Sequence, residues 1–236
     1  MAQPASSPDF PCARCAVRDS AICGALSDGE LKALSQITTE VVVPAGQTVF
    51  YEGDESTYLF NVVSGCLRLS KMLPNGKRQI TGFLFGSDFL GLSIAGAYPY
   101  SADAITASTL CRFPRLGLMK LLEEYPKLEH RLLALASNEL AEAQEHITLL
   151  GRKNASEKIA TMLLRLSGKL GRESEHGIAL DAPMSREDMA DYLGLTIETV
   201  SRVLSKMRRR GLIRLPEPRH IEIAKPDELE LIAASE

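Results

Sequence analysis

Between residues 40 and 113 the chain is written in short β-rich runs: Val41-Val42-Val43, Thr48-Val49-Phe50-Tyr51, Tyr58 to Val63, Cys66-Leu67-Arg68-Leu69 and Gln79 to Phe85. Turn-forming stretches separate them at Pro44-Ala45-Gly46, Glu52-Gly53-Asp54, Ser64-Gly65, Pro74-Asn75-Gly76 and Gly86-Ser87-Asp88. Many short strands with near-regular turn signals predict a compact antiparallel barrel or roll. Beyond it the apolar period lengthens. Leu116 to Glu124 reads as a short amphipathic helix that stops near Pro126, and a longer helix follows from about Lys127 to Leu150. Along the longer helix Leu133, Ala136, Leu140, Ala143, Ile147 and Leu150 recur in steps of 3-4-3-4-3, the rhythm of a coiled-coil seam. A helix packed on its own domain would use the same spacing, but the polar residues around the seam favour the pairing of two copies.

Capping signals mark the remaining helices. Ser27-Asp28-Gly29-Glu30 and Asn154-Ala155-Ser156-Glu157 have the spacing of capping boxes, each followed by apolar positions at helical intervals. Ser185 to Asp188 can cap a short helix carrying Met189, Ala190 and Leu193; Gly194 supplies a turn, and Thr196 can cap a second helix from Ile197 to about Arg210. A small residue, a turn glycine and a branched Val200 at these offsets are the signature of a helix-turn-helix. On the second helix Val200, Val203, Leu204 and Met207 form the apolar face. Glu198, Ser201 and Arg202 stand near its N-terminus on the other side, beside Ile197. That is where base edges of the major groove are reached, and Arg208 and Arg209, further along, suit phosphates. An exposed Glu198–Arg202 ion pair is the plainer alternative. Leu212-Ile213-Arg214 with His220 to Ile223 reads as a β wing. The expected fold class is therefore α+β, in four parts: a cysteine-rich segment over 1–26, an N-terminal antiparallel β-roll over 27–125, a dimerisation helix over 126–152, and a C-terminal winged helix-turn-helix over 153–236.

Charge strengthens the nucleic-acid reading. The net charge of −3 conceals a balance of −4 over residues 1–151, +5 over 152–219 and −4 over 220–236. A basic stretch confined to one segment of a mildly acidic chain points to a polyanionic partner for that segment alone. Among 236 residues, 45% hydrophobic and 24% charged, no apolar run approaches the roughly 18 residues of a membrane span. The first residues have neither a basic nor an apolar signal region, so a cytoplasmic protein is expected. An enzyme is not: His130, His146, His176 and His220 are scattered, and neither paired carboxylates nor a Gly-rich phosphate loop occurs. Five cysteines, three of them at Cys12, Cys15 and Cys23, suit metal binding or redox chemistry in a reducing compartment better than disulfides. Cys66, at a strand start, reads as a small core residue.

Roll, long helix and winged helix-turn-helix in this order resemble the CRP/FNR family, the relatives of the cyclic AMP receptor protein and the fumarate-nitrate reduction regulator, over about residues 12–225. Gly194-Leu-Thr-Ile-Glu-Thr-Val-Ser-Arg202 looks like the FNR/FixK branch. The resemblance implies that Glu198, Ser201 and Arg202 read a TTGAT half-site, so a homodimer would bind a palindromic TTGAT-N4-ATCAA operator in double-stranded DNA and act with RNA polymerase; the Leu73–Lys77 loop is a candidate polymerase contact. Cyclic-nucleotide-binding relatives clamp the phosphate with an Arg-Ser pair, which is here Tyr100-Ser101, so cyclic AMP is not the expected ligand. Cys12-x2-Cys15-x7-Cys23, with Cys111 late in the roll, resembles the ligand set of the iron–sulfur members and implies a [4Fe-4S] cluster and an oxygen-responsive dimer. Structural zinc, a thiol switch or a small-ligand pocket are the alternatives that the residues leave open. Oxygen-responsive relatives can carry an acidic residue in the dimer seam; Ala143 occupies that position here.

Overall fold

The computed structural model describes residues 11–93 and 95–234, and these fall into two compact units. One takes the chain up to Lys71 together with Thr81–Ala141; the other takes Met72–Ile80 and the chain from Glu142 onward.

The first unit is the expected roll. Eight strands, β1 (Thr39–Val43), β2 (Thr48–Phe50), β3 (Tyr58–Ser64), β4 (Leu67–Met72), β5 (Arg78–Leu84), β6 (Phe89–Leu90), β7 (Ser101–Ala104) and β8 (Ser108–Pro114), form two four-stranded sheets ordered β1-β8-β3-β6 and β2-β7-β4-β5. Strand β3 is buried on both faces, and its alternation sorts side chains into two cores. Phe60 and Val62 join Phe50, Leu67, Leu69, Leu90, Tyr98 and Leu110 in the roll interior, where the Phe50 and Tyr98 rings stack 3.7 Å apart. Leu59 points the other way, into a core shared with Phe113 and with helices α1 (Asp28–Ile37), α2 (Arg115–Glu124) and the start of α3 (Pro126–Arg152). Only Tyr125 separates α2 from α3: Pro126 restricts the residue before it and then serves as a first helical position. Ile22 and Leu26 anchor the N-terminal segment in this same core. Cys66 is buried, as its sequence position suggested.

The second unit holds the end of α3, then α4 (Ala155–Leu170), β9 (Arg172–Ser174), β10 (Gly177–Asp181), α5 (Arg186–Leu193), α6 (Ile197–Arg209), β11 (Ile213–Arg214), β12 (His220–Ile223) and α7 (Pro226–Ala234). The capping signals are realised: Asn154 accepts from Ser156 N and Glu157 N, Ser185 from Asp188 N, and Thr196 from Thr199 N. The wing is wider than the sequence suggested, a four-stranded sheet ordered β11-β12-β10-β9. The polar Arg172-Glu173-Ser174 run gave no strand signal because every residue of β9 is exposed, and ladder hydrogen bonds with polar side-chain contacts, not apolar burial, hold it. The closing helix α7 buries Leu229 and Ala233, and its last turn is tied down where Lys153 Nζ donates to Ala233 O at 2.7 Å.

Candidate functional site

Two single-turn 3₁₀ segments, Pro11–Arg14 and Ile22–Ala25, carry Cys12 and Cys23, with Cys15 between them. Cys111 comes from the middle of β8. All four cysteines line one cavity of about 300 Å³, together with Glu40, Asn61, Val63, Phe113, Leu34 and Thr38. Across the sheet, Glu40 on β1, Cys111 on β8 and Asn61 on β3 stand in register, so they form one row on the cavity side. Burial, reinforced by the neighbouring sulfurs, pushes the Cys23 thiol up to about 11 and the Cys111 thiol up to about 12. Burial, then Cys15, also raises Cys12, while a backbone hydrogen bond and then Arg18 oppose the rise. Among the described residues no three His, Cys, Asp or Glu side chains close on a single ion, so the sulfurs surround a space and not a point.

Close packing shapes the cysteine segment. A Cβ on Gly24 would stand 2.5 Å from Asp19 O and 2.8 Å from Arg18 O, so only glycine lets the Cys23 turn fold back this far. Arg18 pairs with Asp28 at 2.8 Å, tying the segment to α1. Arg131 of α3 donates to Ala21 O at 3.3 Å and to Ser20 O, tying it to the long helix.

On α6 the four expected apolar residues are buried, and Ile197, Glu198, Ser201, Arg202, Arg208 and Arg209 are all exposed. Hydrogen bonds from its own backbone N–H and from Thr196 hold the Glu198 carboxyl below its usual range. Gly194 takes the left-handed conformation at φ +62° that ends α5. The last carbonyls of α5 are then each satisfied: Ala190 O by Gly194 N and Leu195 N, Asp191 O by Gln79 Nε2 at 2.7 Å, and Leu193 O by Lys158 Nζ at 3.1 Å. Arg78 adds ion pairs to Asp188 and Asp191. Along α3, Leu133, Leu140 and Ile147 are 63%, 60% and 69% exposed, and Ala143 is exposed between them. Ala136 is half-buried. Leu150, also half-buried, faces the Gly194 turn of its own chain.

The signature of the Crp-like helix-turn-helix domain matches residues 157–232, and that of the cyclic nucleotide-binding domain matches residues 40–125. The nitrogen fixation regulation protein FixK of Bradyrhizobium diazoefficiens is 42% identical over 95% of this chain and 94% of its own. The chain belongs to the CRP/FNR family, in its FNR/FixK branch. The transcriptional activator protein FnrL of Cereibacter sphaeroides is 38% identical to this family member, over 89% of this chain and 86% of its own. The structure of FixK2 from Bradyrhizobium japonicum superposes with a TM-score of 0.79 at 32% identity, covering 85% of this chain and 99% of that one. As a CRP/FNR protein the chain is a DNA-binding transcription regulator and not an enzyme.

Several residues that line or brace these sites in this CRP/FNR member escape a reading by pattern. Asn61 sits in an apolar run and gains meaning only from its register with Cys111. Arg131 stands two residues before the first seam leucine and looks like one more solvated charge. Gln79 and Lys158 cap a helix more than 30 positions away in sequence. A cation or amide interrupting an apolar face was the one local hint.

Proposed function

We propose that this protein is an oxygen-responsive iron–sulfur transcription activator, binding TTGAT-N4-ATCAA-type operators as a homodimer and controlling genes for low-oxygen or anaerobic metabolism. The observation that carries the reading is the convergence of Cys12, Cys15, Cys23 and Cys111 on one cavity. The donor set suits a [4Fe-4S] cluster: four thiols lining one cavity with a space between them. A single zinc ion would draw its thiolates to about 2.3 Å, a tighter gathering than these sulfurs make. When bound, such a cluster supplies an inorganic core that oxygen can degrade.

The chain's own residues do the rest. The cysteines give up their protons on loading, so uptake falls as pH drops, and the raised thiols of Cys12, Cys23 and Cys111 strengthen that dependence. Arg131 links the loop before Cys23 to α3, two residues before the start of the exposed stripe. Burying Leu133, Leu140 and Ile147 from two copies would contribute about 1–2 kcal/mol per side chain, against an association cost of about 4–15 kcal/mol. Pairing is thus finely balanced, and a modest change in how α3 is held shifts it. A dimer presents two α6 helices to two half-sites, where Arg202 donates to guanine, Glu198 accepts from cytosine and Ser201 adapts. Aromatic filling of the roll interior by Phe50, Phe60 and Tyr98, with Tyr100 beside them, supports the reading that cyclic AMP is not the expected ligand.

Anaerobic purification tests the reading. The protein should be brown, contain iron and acid-labile sulfide in equal amounts, bleach in air, and lose both on Cys111→Ser. Colourless, iron-free anaerobic protein would sink it.

A further inference from the structure

Helix α5 is eight residues long, and only Gly194, Leu195 and Thr196 separate it from α6. The direction of α6 is set where α5 ends. Two side chains from the start of β5 converge on that end, although they lie over 100 positions upstream. Gln79 Nε2 donates to Asp191 O at 2.7 Å, to Tyr192 O at 3.4 Å and to Ile80 O at 3.0 Å, so the amide cannot turn over without setting its oxygen against three carbonyls. Arg78 Nε donates to Asp191 Oδ2 at 2.8 Å, and Nη2 reaches Asp188 Oδ1 at 3.1 Å. The Asp188 carboxyl is 6% exposed, and its other oxygen accepts from Ser185 N and Oγ. One guanidinium thus spans α5 from its capped first turn to its last. All these residues belong to the second unit. Water can serve the last carbonyls of a helix that ends at a surface. Two long side chains ordered on this one turn, at a cost in rotamer freedom, answer instead to a need for fixed placement.

We infer that Arg78 and Gln79 are positioning residues for operator reading: they fix the end of α5, and with it the angle at which α6 enters the major groove. The inference rests on the reading that Glu198, Ser201 and Arg202 contact base edges. Such hydrogen bonds hold over only a few tenths of an ångström around about 2.9 Å. Arg202 stands six residues beyond Thr196, about 9 Å along the helix, so a tilt of about 10° at the turn displaces its backbone by about 1.5 Å. Phosphate contacts made by long, exposed cations are less exacting, because charges attract over a longer range. Loss of the pair therefore shows first in discrimination between sequences, and only afterwards in affinity for DNA as such.

The test uses anaerobically purified full-length protein, folded by circular dichroism, and measures affinity per dimer for a TTGAT–ATCAA duplex and for an unrelated duplex of equal length. Arg78→Met strips a buried carboxylate of its cation and lowers stability as well, so Gln79→Leu, which strands no charge, carries the decision. Gln79→Leu should weaken operator binding about tenfold and change binding of the unrelated duplex less than about twofold. Gln79→Glu, similar in shape but without a proton to give, should lose discrimination at least as far. Wild-type affinity for the operator in Gln79→Leu, wild-type discrimination in Gln79→Glu, or equal losses on both duplexes would overturn the inference. If wild type itself does not prefer the TTGAT–ATCAA duplex, that operator assignment falls, and the same variants on the duplex that wild type selects from a random pool decide the role of the pair. If wild type selects no sequence, both fall.

Discussion

His146 offers a sharp test of how the DNA-binding unit is packed. The ring is 7% exposed and stacks on Tyr192 of α5 with centroids 4.1 Å apart and planes 19° from parallel. Neither ring nitrogen has a partner among the described residues. Burial, with the Arg165 and Lys158 charges of α4 adding to it, lowers its pKa from 6.5 to about 4. The unfolded chain therefore takes up a proton near pH 6.5 that the folded chain refuses until about pH 4. Stability from this group is complete above pH 6.5 and drains away as pH falls toward 4. At pH 5 the loss amounts to about 2 kcal/mol by linkage. His146→Phe keeps a ring on Tyr192 and removes both the proton and the unmet nitrogens. Its advantage over wild type should be about 1–3 kcal/mol at pH 7.5 and about 2 kcal/mol larger at pH 5. Urea unfolding followed by circular dichroism at the two pH values measures the gap. A gap equal at both would refute the buried, neutral histidine.

Other substitutions probe the remaining parts. Ala143→Asp places like charges across the proposed seam, and at an effective dielectric between that of a protein surface and water this costs about 1–3 kcal/mol. Sedimentation should show a smaller dimer fraction than wild type, and identical fractions would count against the seam. Gly24→Ala forces the Cys23 turn away from Asp19 O, so iron uptake should fall while the roll's circular dichroism stays unchanged; full uptake would mean the close approach is dispensable. Arg202→Ala should lose about 1–3 kcal/mol on a TTGAT–ATCAA duplex and little on unrelated DNA. Equal loss on both sequences would reassign Arg202 to phosphate contact.

What the sequence made legible were features whose cause is local. Capping residues, the Gly194 turn, the apolar face of α6 and the strand punctuation of the roll each depend on neighbours within a few positions. The cysteine constellation was legible by resemblance, and the fold brings all four members to one cavity. Less visible were groups whose meaning arises only across the sheet or between distant segments. Asn61 depends on a register with Cys111, 50 positions away, and His146 on a tyrosine of α5. Helix α7 was missed because Pro226-Asp227-Glu228 reads as a polar tail, although Leu229 is fully buried.

The finishing of α5 has a practical consequence. Its terminal carbonyls are met by Gln79, from a hairpin over 100 positions upstream, and by Lys158, while Arg78 secures its acidic residues. A fragment cut at the boundary expected from the sequence, from Lys153 onward, would keep the lysine yet forfeit the glutamine, the arginine and the histidine ring against Tyr192. Such an excised reading head would carry a frayed α5, and the DNA-binding module of this regulator is therefore a discontinuous one.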